Sequence, residues 1–140
     1  MTKDINGYKR HIAVDVDSEL ILARAVTPAN RPEETALPAL EEDLARQRRR
    51  LTTLYIDRGE ASPSPLQQRL RESAGTPVRR MRLRTRALVE HRLAHLARRQ
   101  GRRARYRGVR KNLFDLHRAS SVLNLEAIHR QTTRAAKAAS

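Results

Sequence analysis

Two β-branched-rich runs, Tyr8 to Val14 and Leu20 to Val26, flank the segment Asp15-Val16-Asp17-Ser18-Glu19. Acidic and hydroxyl residues between extended runs favour a turn, so this part of the chain reads as a β-hairpin. The second run is apolar on both alternating faces, with Leu20, Leu22 and Val26 on one and Ile21, Ala23 and Ala25 on the other. A strand of that kind belongs inside a structure covered on both sides, and helices are therefore expected to pack on the sheet.

The rest of the chain supplies helices of the right kind. Pro28-Ala29-Asn30-Arg31-Pro32 breaks the extended run, and Glu33, Glu34, then Leu37, Leu40 and Leu44 predict a helix to about Gln47. Pro38 is either a first-turn residue of a helix beginning near Ala36 or a kink. A third strand is expected over 51–56, ending in Asp57-Arg58-Gly59. The loop Ser62-Pro63-Ser64-Pro65 follows, then a short helix over 66–72 capped by Ser62 or Ser64. Ala74-Gly75-Thr76-Pro77 divides a hairpin, helix and strand section (1–74) from a second section of the same domain (75–131). That second section opens with a long helix over 79–99, carrying the stripe Val89, Leu93 and Leu96. An Arg-rich connector over 101–108 leads to a last helix over 109–131 with Leu113, Leu116 and Leu123 on one face, and a frayed tail over 132–140. The expected class is α/β, a small sheet of about three strands packed with helices and followed by long basic helices.

A chain of 140 residues is one domain's worth of polymer. Its four aromatics, Tyr8, Tyr55, Tyr106 and Phe114, leave most of the core to Leu, Val, Ile and Ala. The formal net charge of +15 is distributed unevenly: residues 1–70 hold 11 basic and 11 acidic side chains, residues 71–140 hold 19 and 4. A positive field confined to one half attracts a polyanion, and with no long apolar segment to suggest a membrane that polyanion is expected to be nucleic acid. Cysteine is absent, which excludes disulfides and thiolate metal sites. The expected location is the cytoplasm, with the nucleoid.

Two carboxylates stand out. Asp57 closes the expected third strand and Glu90 sits on the long helix beside its apolar stripe. A strand-end Asp and a helical Glu suit Mg²⁺ or Mn²⁺, hard ions that prefer carboxylate oxygen and water. Spacing carries little weight here, because most acidic residues merely solvate a surface. The cations are more telling: Arg98, Arg99, Arg102, Arg103, Arg105, Arg107, Arg110 and Lys111 crowd one short stretch around Tyr106. Arginine's planar fork suits phosphate oxygens, and an interleaved tyrosine can stack on a base or sugar. His91 and His95 are read as ordinary helix histidines, the serines lack a nucleophile-elbow context, and no Gly-rich phosphate loop is present.

Taken in order, Gly7-Tyr8-Lys9-Arg10-His11 with Ala13-Val14-Asp15, Val26-Thr27-Pro28-Ala29-Asn30, Asp57-Arg58-Gly59 and Arg86-x-x-x-Glu90 resemble the catalytic domain of insertion-sequence DDE transposases. The resemblance implies an RNase H-like fold, incomplete here, with Asp57 and Glu90 as the second and third acidic residues of a Mg²⁺ or Mn²⁺ site. It also implies metal-dependent phosphodiester cleavage and strand transfer on DNA. In the family a Tyr, an Arg, the Glu and a Lys form the last signature. Arg86 and Glu90 match it, Leu83 and Ala97 stand where the Tyr and Lys would be, and Arg98 is adjacent to the latter. The family's first catalytic Asp lies on a strand ahead of the Gly-Tyr-Lys strand, and only Met1 to Asn6 precede Gly7. Asp4 has no apolar strand around it, while Asp15 and Asp17 read as turn residues. The expectation is a shortened copy, impaired in strand transfer. It would bind DNA at transposon ends or target through Arg86 and the basic stretch, alone, as a homo-oligomer or with a full-length transposase. The alternatives are a non-catalytic DNA-binding or regulatory protein acting at transposon ends, and an RNA-associated protein favoured by charge.

Overall fold

The computed structural model describes residues 7–50, 76–101 and 103–140. The expected third strand, Asp57 and the short helix over 66–72 lie outside the described residues. Those residues form strand β1 (Tyr8–Val14), strand β2 (Ile21–Pro28), a 3-10 turn (Glu33–Ala36), helix α1 (Leu37–Arg46), helix α2 (Thr76–Gln100) and helix α3 (Val109–Ala138). The class is α/β, as expected. Among the described residues the sheet has two strands, paired antiparallel from Tyr8↔Pro28 to Val14↔Ile21, with a register irregularity between Ala13 and Val14.

Asp15 builds the hairpin turn. Its Oδ2 accepts hydrogen bonds from the Ser18 amide (2.9 Å) and hydroxyl (2.6 Å), while its own amide donates to Leu20 O at 2.9 Å. This is the local side-chain to backbone pairing that makes Asp a turn residue. Glu19 completes the reversal in the left-handed region at φ 60°.

Both α1 and α3 pack on β2, and α2 packs on α3 and β1. The strand with two apolar faces therefore does acquire its helical cover. Ile21, Val26, Leu96, Leu116 and Leu123 form the buried cluster, with Tyr8, Ile12, Val14, Leu93, Leu113 and Ala119 against it. On α3 the stripe Leu116, Ser120, Leu123, Ala127 recurs at helical spacing and is buried throughout. The Ser120 hydroxyl is accommodated there by donating to Leu116 O at 2.7 Å. Truncating Leu116 or Leu123 to Ala would remove one of a few large core side chains, at a cost of about 2–5 kcal/mol.

Pro38 occupies the first turn of α1, so the helix begins there without a kink. The helix ends at Arg46 in a Schellman arrangement: the Arg49 amide donates to Leu44 O (3.1 Å) and the Arg48 amide to Ala45 O (2.9 Å), with Arg48 at φ 55°. Helix α3 continues past Gln131 to Ala138, through much of the stretch expected to fray. Ala135, Ala136 and Ala138 favour helix strongly, and the Thr132 and Thr133 hydroxyls fold back onto the carbonyls four residues earlier.

Candidate nucleic-acid interface

Helix α2 delivers Arg98 and Arg99 at its last turn, where they complement the helix dipole. Gly101, at φ 82°, ends the helix, its amide donating to Ala97 O at 2.8 Å. From there to α3 the connector is pinned to the hairpin at both ends. The Arg10 guanidinium donates to Gln100 Oε1 (3.1 Å) and to Gly101 O (3.0 Å). At the other end the Gly108 amide donates to the Tyr8 hydroxyl at 2.7 Å, with Gly108 itself at φ 95°. Asn112 Nδ2 donates to Tyr106 O (2.7 Å) and Gly108 O (2.8 Å), which holds the last turn of the connector against the start of α3.

Gln100 passes the network inward, donating from Nε2 to Asp115 Oδ2 at 2.8 Å, and the Arg118 guanidinium lies 3.4 Å from Asp115 Oδ1. Asp115 is buried, so its carboxylate needs these partners. Burial holds the Arg10 guanidinium below its ordinary value, with Asp115 opposing that shift. Tyr8, Arg10, Gln100 and Asp115 therefore position the connector, and the sequence reading gave none of them a role. Tyr8 and Arg10 lie within the run Gly7-Tyr8-Lys9-Arg10-His11. Asp115 was legible as the one acid set between Leu113 and Leu116 on the buried face.

The cations in the connector and on the helix ends that flank it point outward. Arg98, Arg99, Arg103, Arg105, Arg107, Arg110 and Lys111 are all exposed, and Tyr106 is 43% exposed among them. Arg99 is engaged by Glu126 of α3 in an ion pair. Arg102 lies outside the described residues. The result is a basic rim on a backbone fixed by hydrogen bonds, able to meet a row of phosphates with little loss of chain freedom.

Of the two expected metal carboxylates, Glu90 lies on the exposed side of α2 with Oε1 2.9 Å from Arg86 Nε, one turn earlier. Asp57 lies outside the described residues. No group of three or more His, Asp or Glu side chains is placed to hold a metal ion among the described residues. His91 and His95 lie with ring centroids 4.2 Å apart and ring planes tilted by 50°, and burial, with His91 and nearby arginines, lowers the His95 pKa. No described helix is long and apolar enough to cross a membrane.

A β-hairpin covered by helices thus carries an Arg-rich rim tied to it. Residues 2–85 fit the family model of the transposase DDE domain, and the chain belongs to that family. The matched stretch includes Asp57 and the whole hairpin and ends just ahead of Arg86, Glu90 and the connector. Membership places the chain among proteins of DNA transposition, a family that generally uses divalent metal. No curated protein and no solved structure matches it.

Proposed function

We propose that this chain is a DNA-binding member of the transposase family, impaired in strand cleavage, that grips the phosphate backbone with the 98–111 rim. The observation that carries the reading is the outward display of Arg103, Arg105 and Arg107 on a connector anchored to the hairpin by Tyr8 and Arg10, continued by Arg110 and Lys111 on the first turn of α3. In this reading the hairpin is part of an RNase H-like sheet and residues 1–131 act as one unit, which the hydrogen bonds from β1 to α2 and to the connector support.

The donor set fits a metal poorly on the described side. Glu90 shares one oxygen, Oε1, with Arg86 in an exposed pair that leaves Oε2 open, and no group of three or more His, Asp or Glu side chains forms around it among the described residues. No catalytic step is therefore assigned to Asp57 and Glu90. The second reading is a non-catalytic protein occupying transposon ends, which the same basic rim would serve.

Fluorescence anisotropy with labelled duplex DNA tests the proposal. Affinity should fall by about 10³ or more between 50 and 200 mM salt if several of these cations meet phosphates, and each contact removed by alanine at Arg103, Arg105, Arg107 or Arg110 should lower the salt slope by about 0.9. Unchanged binding by the quadruple variant would remove the connector from the interface, and tighter binding to structured RNA than to duplex would favour the RNA reading. Metal-dependent nicking that vanishes in Asp57→Asn and Glu90→Gln would restore the enzyme.

A further inference from the structure

A second cationic feature lies on the same helical pair, away from the connector. His91 and Arg92 of α2 and Ala127, Arg130, Gln131 and Arg134 of α3 line a cleft of about 210 Å³, together with Glu19 from the hairpin turn. Along α2, Arg92 stands about 14 Å from Gly101 at the helical rise, so the cleft and the connector are separate places on the surface.

Arg92 is the unusual member. It is 3% exposed, its Nε has no hydrogen-bond partner, and its nearest carboxylate is Glu19, at 3.6 Å from Nη2. Burying a guanidinium costs several kcal/mol unless it is well paired, and one carboxylate at that distance pairs it loosely. Burial and the charge of Arg130 both hold the Arg92 pKa below its ordinary value, with Glu19 opposing them. Arg130 and Arg134, one turn apart on α3, are exposed and have no carboxylate within ion-pair distance among the described residues. Three guanidinium groups thus converge on a cavity that offers them a single acid.

We propose that this cleft is an oxyanion site that takes one phosphate group, with Arg130 and Arg134 as its outer donors, Arg92 as its buried cation and Glu19 as the carboxylate the phosphate displaces. Three arginines match the charge and the many acceptor oxygens of a phosphate, and planar guanidinium forks provide paired donors for them. Glu19 keeps Arg92 partly compensated when no phosphate is bound and competes with one when it is. The phosphate comes either from a nucleic-acid strand, in which case the site extends the proposed DNA-binding role, or from a free phosphate compound.

The test uses the whole chain and inorganic phosphate as the probe, with chloride at matched ionic strength as the reference. Millimolar phosphate should raise Tm by a few degrees in the wild type, as a ligand of the folded state does. That shift should disappear in the Arg130→Gln/Arg134→Gln variant, whose changes are on exposed side chains and spare the core. Glu19→Gln should enlarge it at the same phosphate concentration, because the competing carboxylate is gone. An equal Tm in phosphate and chloride, or an equal shift in the double variant, overturns the site. With the site established, a lower DNA salt slope in the double variant identifies the strand as the source, and an unchanged slope identifies a free phosphate compound. Wild-type DNA binding without a phosphate shift sinks the cleft and leaves the connector reading standing; a phosphate shift without DNA binding does the reverse.

Discussion

Asn124 on α3 pairs with the backbone of Ile21 as a neighbouring strand would, its Oδ1 accepting from the Ile21 amide at 2.9 Å and its Nδ2 donating to the Ile21 carbonyl at 2.8 Å. The strand's next polar groups are met from α1 and its C-cap: Gln47 Nε2 donates to Leu22 O, and Asp43 Oδ2 accepts from the Arg24 amide at 3.0 Å. These side chains occupy backbone groups that would otherwise template another strand, one way proteins keep a sheet edge from pairing with a second chain. Asn124→Ala would leave the Ile21 amide unmet, while the Ile21 carbonyl keeps the Arg24 guanidinium as a donor at 2.9 Å. The expected cost is about 1–3 kcal/mol, read as a lower urea midpoint with an unchanged m value.

Arg48 occupies the left-handed position of the α1 C-cap at φ 55°. A side chain there strains against its own backbone by about 1–2 kcal/mol, a strain glycine does not carry. Glycine recovers only part of this because it also gains freedom in the unfolded chain. Arg48→Gly should therefore stabilise the fold by about 0.5–1 kcal/mol, visible as a raised Tm.

Burial lowers the pKa of His11, whose Nε2 lies 2.8 Å from Thr27 Oγ1, and of His95 and His117. A folded-state pKa below the unfolded value of about 6.5 gives stability that is complete above that value and is lost as pH falls through the folded one. Stability should thus decline on acidification below about pH 6.5. His11→Gln should flatten part of that decline, and an unaltered pH profile in this variant would show that the ring stays neutral for no energetic reason.

Tyr8→Phe removes the acceptor for the Gly108 amide without removing charge. It should cost about 0.5–1 kcal/mol of stability. DNA binding should weaken while its salt slope stays as in the wild type, because the slope counts phosphates neutralised and the connector keeps all its cations. A changed slope would mean that Tyr8 does more than position the connector.

The hairpin was readable because its causes are local. Runs rich in β-branched residues define the two strands, and Asp15 with Ser18 makes the turn from residues three apart. The helices were readable for the same reason, from stripes at 3.6-residue spacing such as Leu113, Leu116 and Leu123. Their ends were less so. Extension of α3 to Ala138 depends on helix propensity in a stretch with no apolar stripe to advertise it, and the Schellman turn at Arg48 uses a residue type that does not signal left-handed backbone.

Charge was equally plain in the sequence: a positive C-terminal half, and a dense run of arginines between two helices, follow from residue counts and need no coordinates. Which of those arginines face outward, and what holds them there, depends on partners about 90 to 100 positions apart, such as Arg10 with Gln100 and Tyr8 with Gly108. The same is true of the cleft, where Glu19 from the hairpin turn meets Arg92, Arg130 and Arg134 from two helices. Periodicity reports how a segment contacts water and core, and it is silent about which distant segment lies opposite. That pairing is settled by packing, when Leu96, Leu116 and Leu123 close on Ile21 and bring the polar groups around them into register.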